Sequence, residues 1–408
     1  MPTIQDPEIK TMLALAALTY RGIACRSEAS IRLALEPWLP RLANEDLGEW
    51  QLVWGPATYR SATSLFDDAM VYVAKSHDGD GRPHYAIAVR GTNPISCFDW
   101  VFGDLFVHLR DPWDGTGAKG GFLSASTALG LAIIQHLAAD PAAPPLDDVR
   151  ALSGHLVSNA LQSRISLGRI GSSFDPASVV RALDRLRRRT QGSLSLASTF
   201  VQATLAKPSD VEAATLAYLR QQIRAAADSG STLQKFLADD MAADHSGRRA
   251  RVSVTGHSKG GALAVATALW IQETSADAFD VDCFSFAGPT AGNAAFKTYY
   301  DESLQAATYR VVNDLDIVPH AWAPSDLESL EATYPDLKPA IAQLAGSVAS
   351  DPRGPYCHVG GDLIRFPSKR RYPDDAREIV HQHLDAYLSE ASFRAPCWNT
   401  RSIFLGED

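Results

Sequence analysis

Cysteine is scarce in this chain of 408 residues: Cys25, Cys97, Cys283, Cys357 and Cys397 are scattered, odd in number and lack metal-ligand spacing. They read as mostly free thiols, which excludes a disulfide scaffold and leans towards a reducing compartment. Long apolar runs are missing too; no stretch approaches the ~18 residues of a membrane span. Positive charge is in deficit, 38 Lys+Arg against 47 Asp+Glu for a net charge of −9, which argues against a nucleic-acid partner. There is no internal repeat, no Walker loop and no Gly-x-Gly-x-x-Gly. Met12-Leu-Ala-Leu-Ala-Ala-Leu18 has the look of a signal-peptide core, but Asp6 and Glu8 precede it with only Lys10 as a cation. That is the wrong flank for a signal, so a buried amphipathic first helix is expected. A cytoplasmic protein or one exported by a signal-less route fits this reading.

What is present is ordinary globular material, 46% hydrophobic and 21% charged, enough to bury a sizeable core. Helical stretches are expected at 12–18 and near 28–45. Strands follow at Gln51–Trp54, Met70–Ala74 and Tyr85–Val89, rich in Val, Tyr and Ile and bounded by turn formers. Gly120–Gly130 opens another helix. Roughly 130 residues then separate Leu123 from the next strand at Arg251, far more than a βα connection needs. Helical spacing at 175–189, a capping box at Ser209-Asp-Val-Glu212 and a helix at Thr232–Ala243 fill part of that interval. Its 161–190 portion is basic, with seven arginines between Arg164 and Arg189 against Asp175 and Asp184; a solvated helix face is the plainest account. Further on, strands at Val281–Phe286, Ala307–Val312 and Asp362–Phe366 alternate with helices at Asn293–Glu302 and near His383. Such alternation predicts an α/β fold with a mostly parallel sheet.

One stretch carries chemistry. Arg251-Val-Ser-Val-Thr-Gly256 reads as a strand, Gly256-His-Ser-Lys-Gly260 as a sharp turn, and Gly261–Leu269 as a small-residue helix. That is the strand–turn–helix context of a Gly-x-Ser-x-Gly nucleophile elbow, with Ser258 exposed at its tip. A serine hydroxyl needs a base, and the base needs an orienting acid. Asp314 and Asp316 both follow a strand beyond the elbow, and position alone favours Asp316 only slightly. His381 and His383 both fall after the last strand, and periodicity does not separate them. His320 sits too close to the acid, and His358 lies before that strand. For a developing oxyanion, one backbone N–H comes from Lys259 and a second from Thr92 in the turn Arg90-Gly-Thr-Asn-Pro94.

Taken together, these pieces resemble the class 3 (fungal-type) lipase family of the α/β-hydrolases. Val89-Arg-Gly-Thr92, with Asp99-Trp100 and Asp104-Leu105, is similar to the family's Phe-Arg-Gly-Ser/Thr turn and lid segment; Gly121-Phe122 resembles its Gly-Phe. Thr255-Gly-His-Ser-Lys-Gly-Gly261, Phe286-Ala-Gly-Pro-Thr-Ala-Gly-Asn293, Tyr309-Arg-Val-Val-Asn313 and Asp316-Ile-Val-Pro-His320 match in order. The resemblance implies Asp316 as acid, demotes His358 within Tyr356-Cys-His-Val-Gly360, and favours His383 through His383-Leu-Asp-Ala-Tyr387. Three departures stand out: Lys259 replaces an apolar residue, Gln382 replaces the Asp that usually precedes the base, and the helical insertion at roughly 137–208 has no counterpart in compact members.

The expectation is one α/β-hydrolase domain over 1–408, a mostly parallel sheet flanked by helices with a helical insertion at 137–208 forming a lid or cap. Ser258, Asp316 and His383 would hydrolyse carboxylic esters through an acyl-enzyme, with Thr92 and Lys259 as the oxyanion hole. Phe98, Trp100, Phe102, Phe106 and His257 are candidates for substrate contact or lid. The expected substrate is a lipid or other ester, met transiently at a lipid interface. No metal or organic cofactor and no nucleic acid is implied. Two rivals are a phospholipase, in one form a secreted antibacterial effector, and a catalytically retired hydrolase kept as a binding scaffold.

Overall fold

The structure is a computed structural model; it describes residues 2–23, 27–59, 69–91, 109–113, 119–139, 232–244, 248–275, 278–331, 333–335, 338–373 and 375–405. The chain begins with α1 (Pro7–Leu18), which starts where a proline can sit without losing a needed N–H, with Glu8 in the first turn. Every residue from Ile9 to Leu18 is buried, so this helix is enclosed rather than amphipathic. The reason lies in its neighbours: it is pressed between the sheet and the C-terminal segment, in a cluster with Phe284, Val311, Tyr387 and Trp398. Each fully buried Met or Leu there contributes about 1.5–3 kcal/mol. Two sheet hydroxyls reach up to it, Tyr72 donating to the Leu15 carbonyl at 2.6 Å and Thr255 to that of Met12 at 2.9 Å.

After α2 (Glu28–Leu35) and a 3-10 segment (Glu36–Glu45), the strands β1 (Gln51–Tyr59), β2 (Ala69–His77) and β3 (Pro83–Val89) form an antiparallel meander. Next come β4 (Leu109–Pro112), β5 (Phe122–Ser124), α3 (Ala125–Ala139), α4 (Thr232–Ala243), β6 (Ala250–His257), α5 (Lys259–Ser275) and β7 (Phe279–Phe286). Then follow β8 (Gly292–Asn293), α6 (Ala294–Leu304), β9 (Thr308–Asn313), α7 (Pro324–Leu330), α8 (Lys338–Ala349), β10 (Tyr356–Cys357) and β11 (Asp362–Phe366). The chain's last long helix runs from 375 to 390 as α9 (Asp375–Val380), a π-turn (His381–Asp385) and α10 (Ala386–Glu390). The expected helical start at Gly120 is thus a short strand first and a helix only from Ala125.

The main sheet has seven strands in the order β1-β2-β3-β6-β7-β9-β11, and β3, β6, β7, β9 and β11 are mutually parallel. A second, antiparallel sheet runs β10-β8-β5-β4. One face of the main sheet packs under residues of α3, α4, α5 and α6. The other carries α1, the 3-10 segment and the C-terminal residues Ala386–Ile403. Covering both faces explains why β3 is buried along its whole length. It also leaves the carboxyl ends of the parallel strands free for loops, the place where α/β sheets put their sites. The expected insertion at 137–208, apart from its first residues at the end of α3, lies outside the described residues.

Candidate active site

Strand β6 ends at His257 and α5 begins at Lys259, so Ser258 alone makes the turn, with φ of 62°. For a serine that is a strained backbone, and the packing around it holds it there. A Cβ on Gly256 would meet the Gly260 carbonyl oxygen at 2.1 Å, and one on Gly260 the Val89 oxygen at 2.5 Å. The strand and helix therefore touch through bare backbone. The Ser258 N–H donates to Phe286 O at 2.9 Å, anchoring the turn on the neighbouring strand.

The candidate acid, Asp316, follows β9. Asn313, its last residue, accepts the Leu315 N–H on Oδ1 at 3.1 Å and turns the chain. Asp316 is then fully buried: its Oδ1 accepts the Val318 N–H at 3.0 Å and its Oδ2 the Tyr387 hydroxyl at 3.0 Å. Burial, followed by the charge of Asp316, pushes the Tyr387 phenol well up, so it stays a donor.

The candidate base, His383, sits in the π-turn of the last helix. His383 Nδ1 lies 2.8 Å from Asp316 Oδ2, and Nε2 lies 2.9 Å from Ser258 Oγ. Because the carboxylate only accepts, the ring proton belongs on Nδ1, and Nε2 is left to accept from the serine. The extra residue of the turn carries Ala386 N–H to His381 O, a local widening often found at functional sites. The carbonyl of His383 itself accepts from His257 Nε2 at 2.9 Å.

The other candidates are placed elsewhere. Asp314 pairs with Arg365 at 3.3 Å on the surface, both side chains about half exposed. His381 turns to Asp385 at 3.1 Å and packs edge-on against Tyr372. His358 faces Asp326 at 3.4 Å. His320 is buried. His257 is 5% exposed, with Nε2 on the His383 carbonyl and Nδ1 3.3 Å from the Tyr20 hydroxyl. Burial, reinforced by the nearby His383, lowers its pKa to about 3. Both ring nitrogens thus face groups of the protein, the His383 carbonyl and the Tyr20 hydroxyl. Lys259 opens α5, where N–H groups lack intrahelical partners. Gly91 abuts the Ser258 turn so closely that a Cβ would meet His257 O at 2.4 Å. Thr92 itself, with Phe98, Trp100, Phe102 and Phe106, lies outside the described residues.

Sequence reasoning gave no role to Tyr20, Asn313, Glu378 or Tyr387. Tyr387, one helical turn beyond His383, was within reach of a spacing argument; Tyr20 comes from far along the chain and carried no signal.

Comparison with known proteins fits this geometry. Residues 189–325 match the family described as Lipase (class 3), a segment that holds Ser258 and Asp316 and stops short of His383. Over that segment the chain is similar to the class 3 lipases. Among curated relatives are two Arabidopsis thaliana proteins. Phospholipase A1-Igamma1, chloroplastic, is 35% identical over 36% of this chain and 27% of that protein. Lipase-like PAD4 is 42% identical over 17% of this chain and 13% of that protein. The chain thus spans about a quarter or less of the length of these relatives. In three dimensions it is similar to M37 lipase, with a TM-score of 0.61 and 23% identity over 98% of this chain and 95% of that one; that likeness supports the fold.

Proposed function

We propose that this chain is a serine hydrolase of lipid or other carboxylic esters, working through an acyl-enzyme. The observation that carries the reading is the chain Asp316–His383–Ser258, with contacts of 2.8 and 2.9 Å in the order the chemistry requires. His383 takes the Ser258 proton as Oγ attacks the ester carbonyl, and Asp316 holds the imidazolium that forms. His383 then returns the proton to the leaving alcohol. Water repeats the sequence and frees the acid. The His257 ring lies 4.7 Å from that of His383, and its lowered pKa keeps a second positive charge away from the imidazolium.

The oxyanion is assigned to the N–H groups of Lys259 and Thr92. Loss of one such donor costs about 10²–10³ in kcat. Phe98, Trp100, Phe102 and Phe106 are proposed to contact the acyl chain or to form the underside of a lid. A phospholipid is the second reading of the substrate, favoured by the phospholipase A1 relatives.

A fluorophosphonate probe tests the reaction class. The native protein is expected to label, with Ser258 Oγ bonding to phosphorus, fluoride leaving and the proton passing to His383. Ser258→Ala should abolish labelling. A native protein that stays unlabelled would leave a retired scaffold as the better account. Hydrolysis of p-nitrophenyl esters of graded length, triacylglycerol and phospholipid vesicles then ranks the substrates.

A further inference from the structure

We propose that Glu378, Gln382 and Asn313 form a positioning relay that sets the register of Asp316 against His383. The inference rests on the reading of Ser258, Asp316 and His383 as one reacting unit. Gln382 is fully buried and precedes the base. Its Oε1 accepts from Asn313 Nδ2 at 2.7 Å, and its Nε2 donates to Glu378 Oε1 at 2.6 Å and to Lys369 O at 3.1 Å. Three contacts fix which way the amide points: the carbonyl faces a donor, and the NH₂ faces two acceptors.

Glu378 is also fully buried. Its second oxygen accepts the N–H groups of Arg371 at 2.9 Å and Tyr372 at 2.7 Å. Burial alone would raise its carboxyl, but the bonds from Gln382, Tyr372 and Arg371, with nearby His381, outweigh it and hold the group below the usual range. The relay thus begins at a buried anion on the helix of the base, tied to the loop after β11.

At its other end Asn313 reaches both partners of the reaction. Its Nδ2 also donates to the Gln382 backbone carbonyl at 2.9 Å, beside the His383 carbonyl capped by His257. Two successive carbonyls of the π-turn are therefore satisfied from outside the helix, one from the strand of the acid and one from the elbow. Asn313 N–H donates to the Tyr387 hydroxyl at 3.0 Å, Asn313 O accepts the Asp316 N–H at 3.0 Å, and Oδ1 holds Leu315. A shift at Gln382 therefore moves the acid's turn relative to the base. An acid at 382 would have no N–H to offer Glu378. Glutamine here and glutamate one turn earlier depend on each other.

The dependence gives its own test. Glu378→Gln sets an amide NH₂ against that of Gln382, and Gln382→Glu sets two carboxylates together. The double exchange restores a donor facing an acceptor between 378 and 382, while the Lys369 carbonyl loses its donor as it does in Gln382→Glu alone; all three variants keep side-chain size. Fluorophosphonate labelling separates the saturating rate from the half-saturation concentration, and thermal melting reports the fold. Each single variant is expected to lower the saturating rate about tenfold with half-saturation within about twofold. The double variant should return to within about threefold of native. Singles with native rates, or a double that melts like the native protein but labels as slowly as the singles, would overturn the relay. If a single variant is too unstable to assay, the double decides alone by the same threefold and tenfold marks. A native protein that does not label refutes the reading of the triad; one that labels while the variants match it refutes only the relay.

Discussion

At the scale of single residues, two aspartates two positions apart have opposite surroundings, and that difference carries a prediction. Asp316 is wholly buried, accepts from Val318 and Tyr387 and faces His383. Asp314 is about half exposed, against a half-exposed Arg365. Asp316→Asn puts an amide where only an acceptor keeps the Nδ1 proton in place, so the imidazole is free to take the wrong tautomer. The expected loss is about 10⁴ in kcat on a p-nitrophenyl ester. Asp314→Asn breaks a surface pair worth about 0–1 kcal/mol and should leave kcat within about twofold. Equal losses in the two variants would mean that the acid has been misassigned.

Between elements, the elbow depends on backbone approach. Gly256, Gly260 and Val89 meet with no side chain between them. Gly256→Ala drives a methyl into the Gly260 carbonyl, which has no flexible end to yield, so β6 and α5 must part. The expected outcome is destabilisation of more than about 3 kcal/mol by urea unfolding, or loss of soluble protein; a variant of native stability would show that the two elements tolerate separation. This contact was legible beforehand, because a Gly-x-Ser-x-Gly turn after a β-branched run demands it. So were β3, β7, β9, β11 and α4, whose β-branched and aromatic runs or helical spacing stand out. The second sheet was not, since strands of two to four residues such as β8 and β10 have no periodicity to read. Nor were α7 and α8, which follow the acid's loop and pack with Trp322, Tyr334 and Tyr356 in a small cluster of their own. The first helix is buried as its apolar content predicts, but all round rather than on one face, because the C-terminal segment encloses it. At the site, chain order and spacing left Asp314 against Asp316 and His381 against His383 open. What separates each pair in space is a turn built by Asn313 and a π-turn, and neither leaves a pattern in one sequence.

For the whole molecule, the buried histidines make stability depend on pH. His257 is lowered to about 3 by burial and then by His383. His358 is lowered to about 4 by burial and then by Arg310, against the opposing pull of Asp326. In the unfolded chain both take up a proton below about 6.5; in the folded chain both stay neutral until well below that. Between about pH 6.5 and 4 the unfolded state therefore binds more protons, and stability falls as pH falls. Above 6.5 these two groups contribute no slope. Each adds up to about 1.4 kcal/mol per pH unit inside the window. Asp282, raised by burial against the pull of Arg251, works in the other direction at its lower end. Unfolding by urea at pH 7.5, 6.0 and 5.0 should give a steady decline below 6.5 and little change above it. His257→Gln, which keeps a side-chain N–H for the His383 carbonyl, should flatten that decline by about one histidine's share. An unchanged slope would mean that His257 carries a proton in the folded protein, and the neutral support beneath His383 would have to be abandoned.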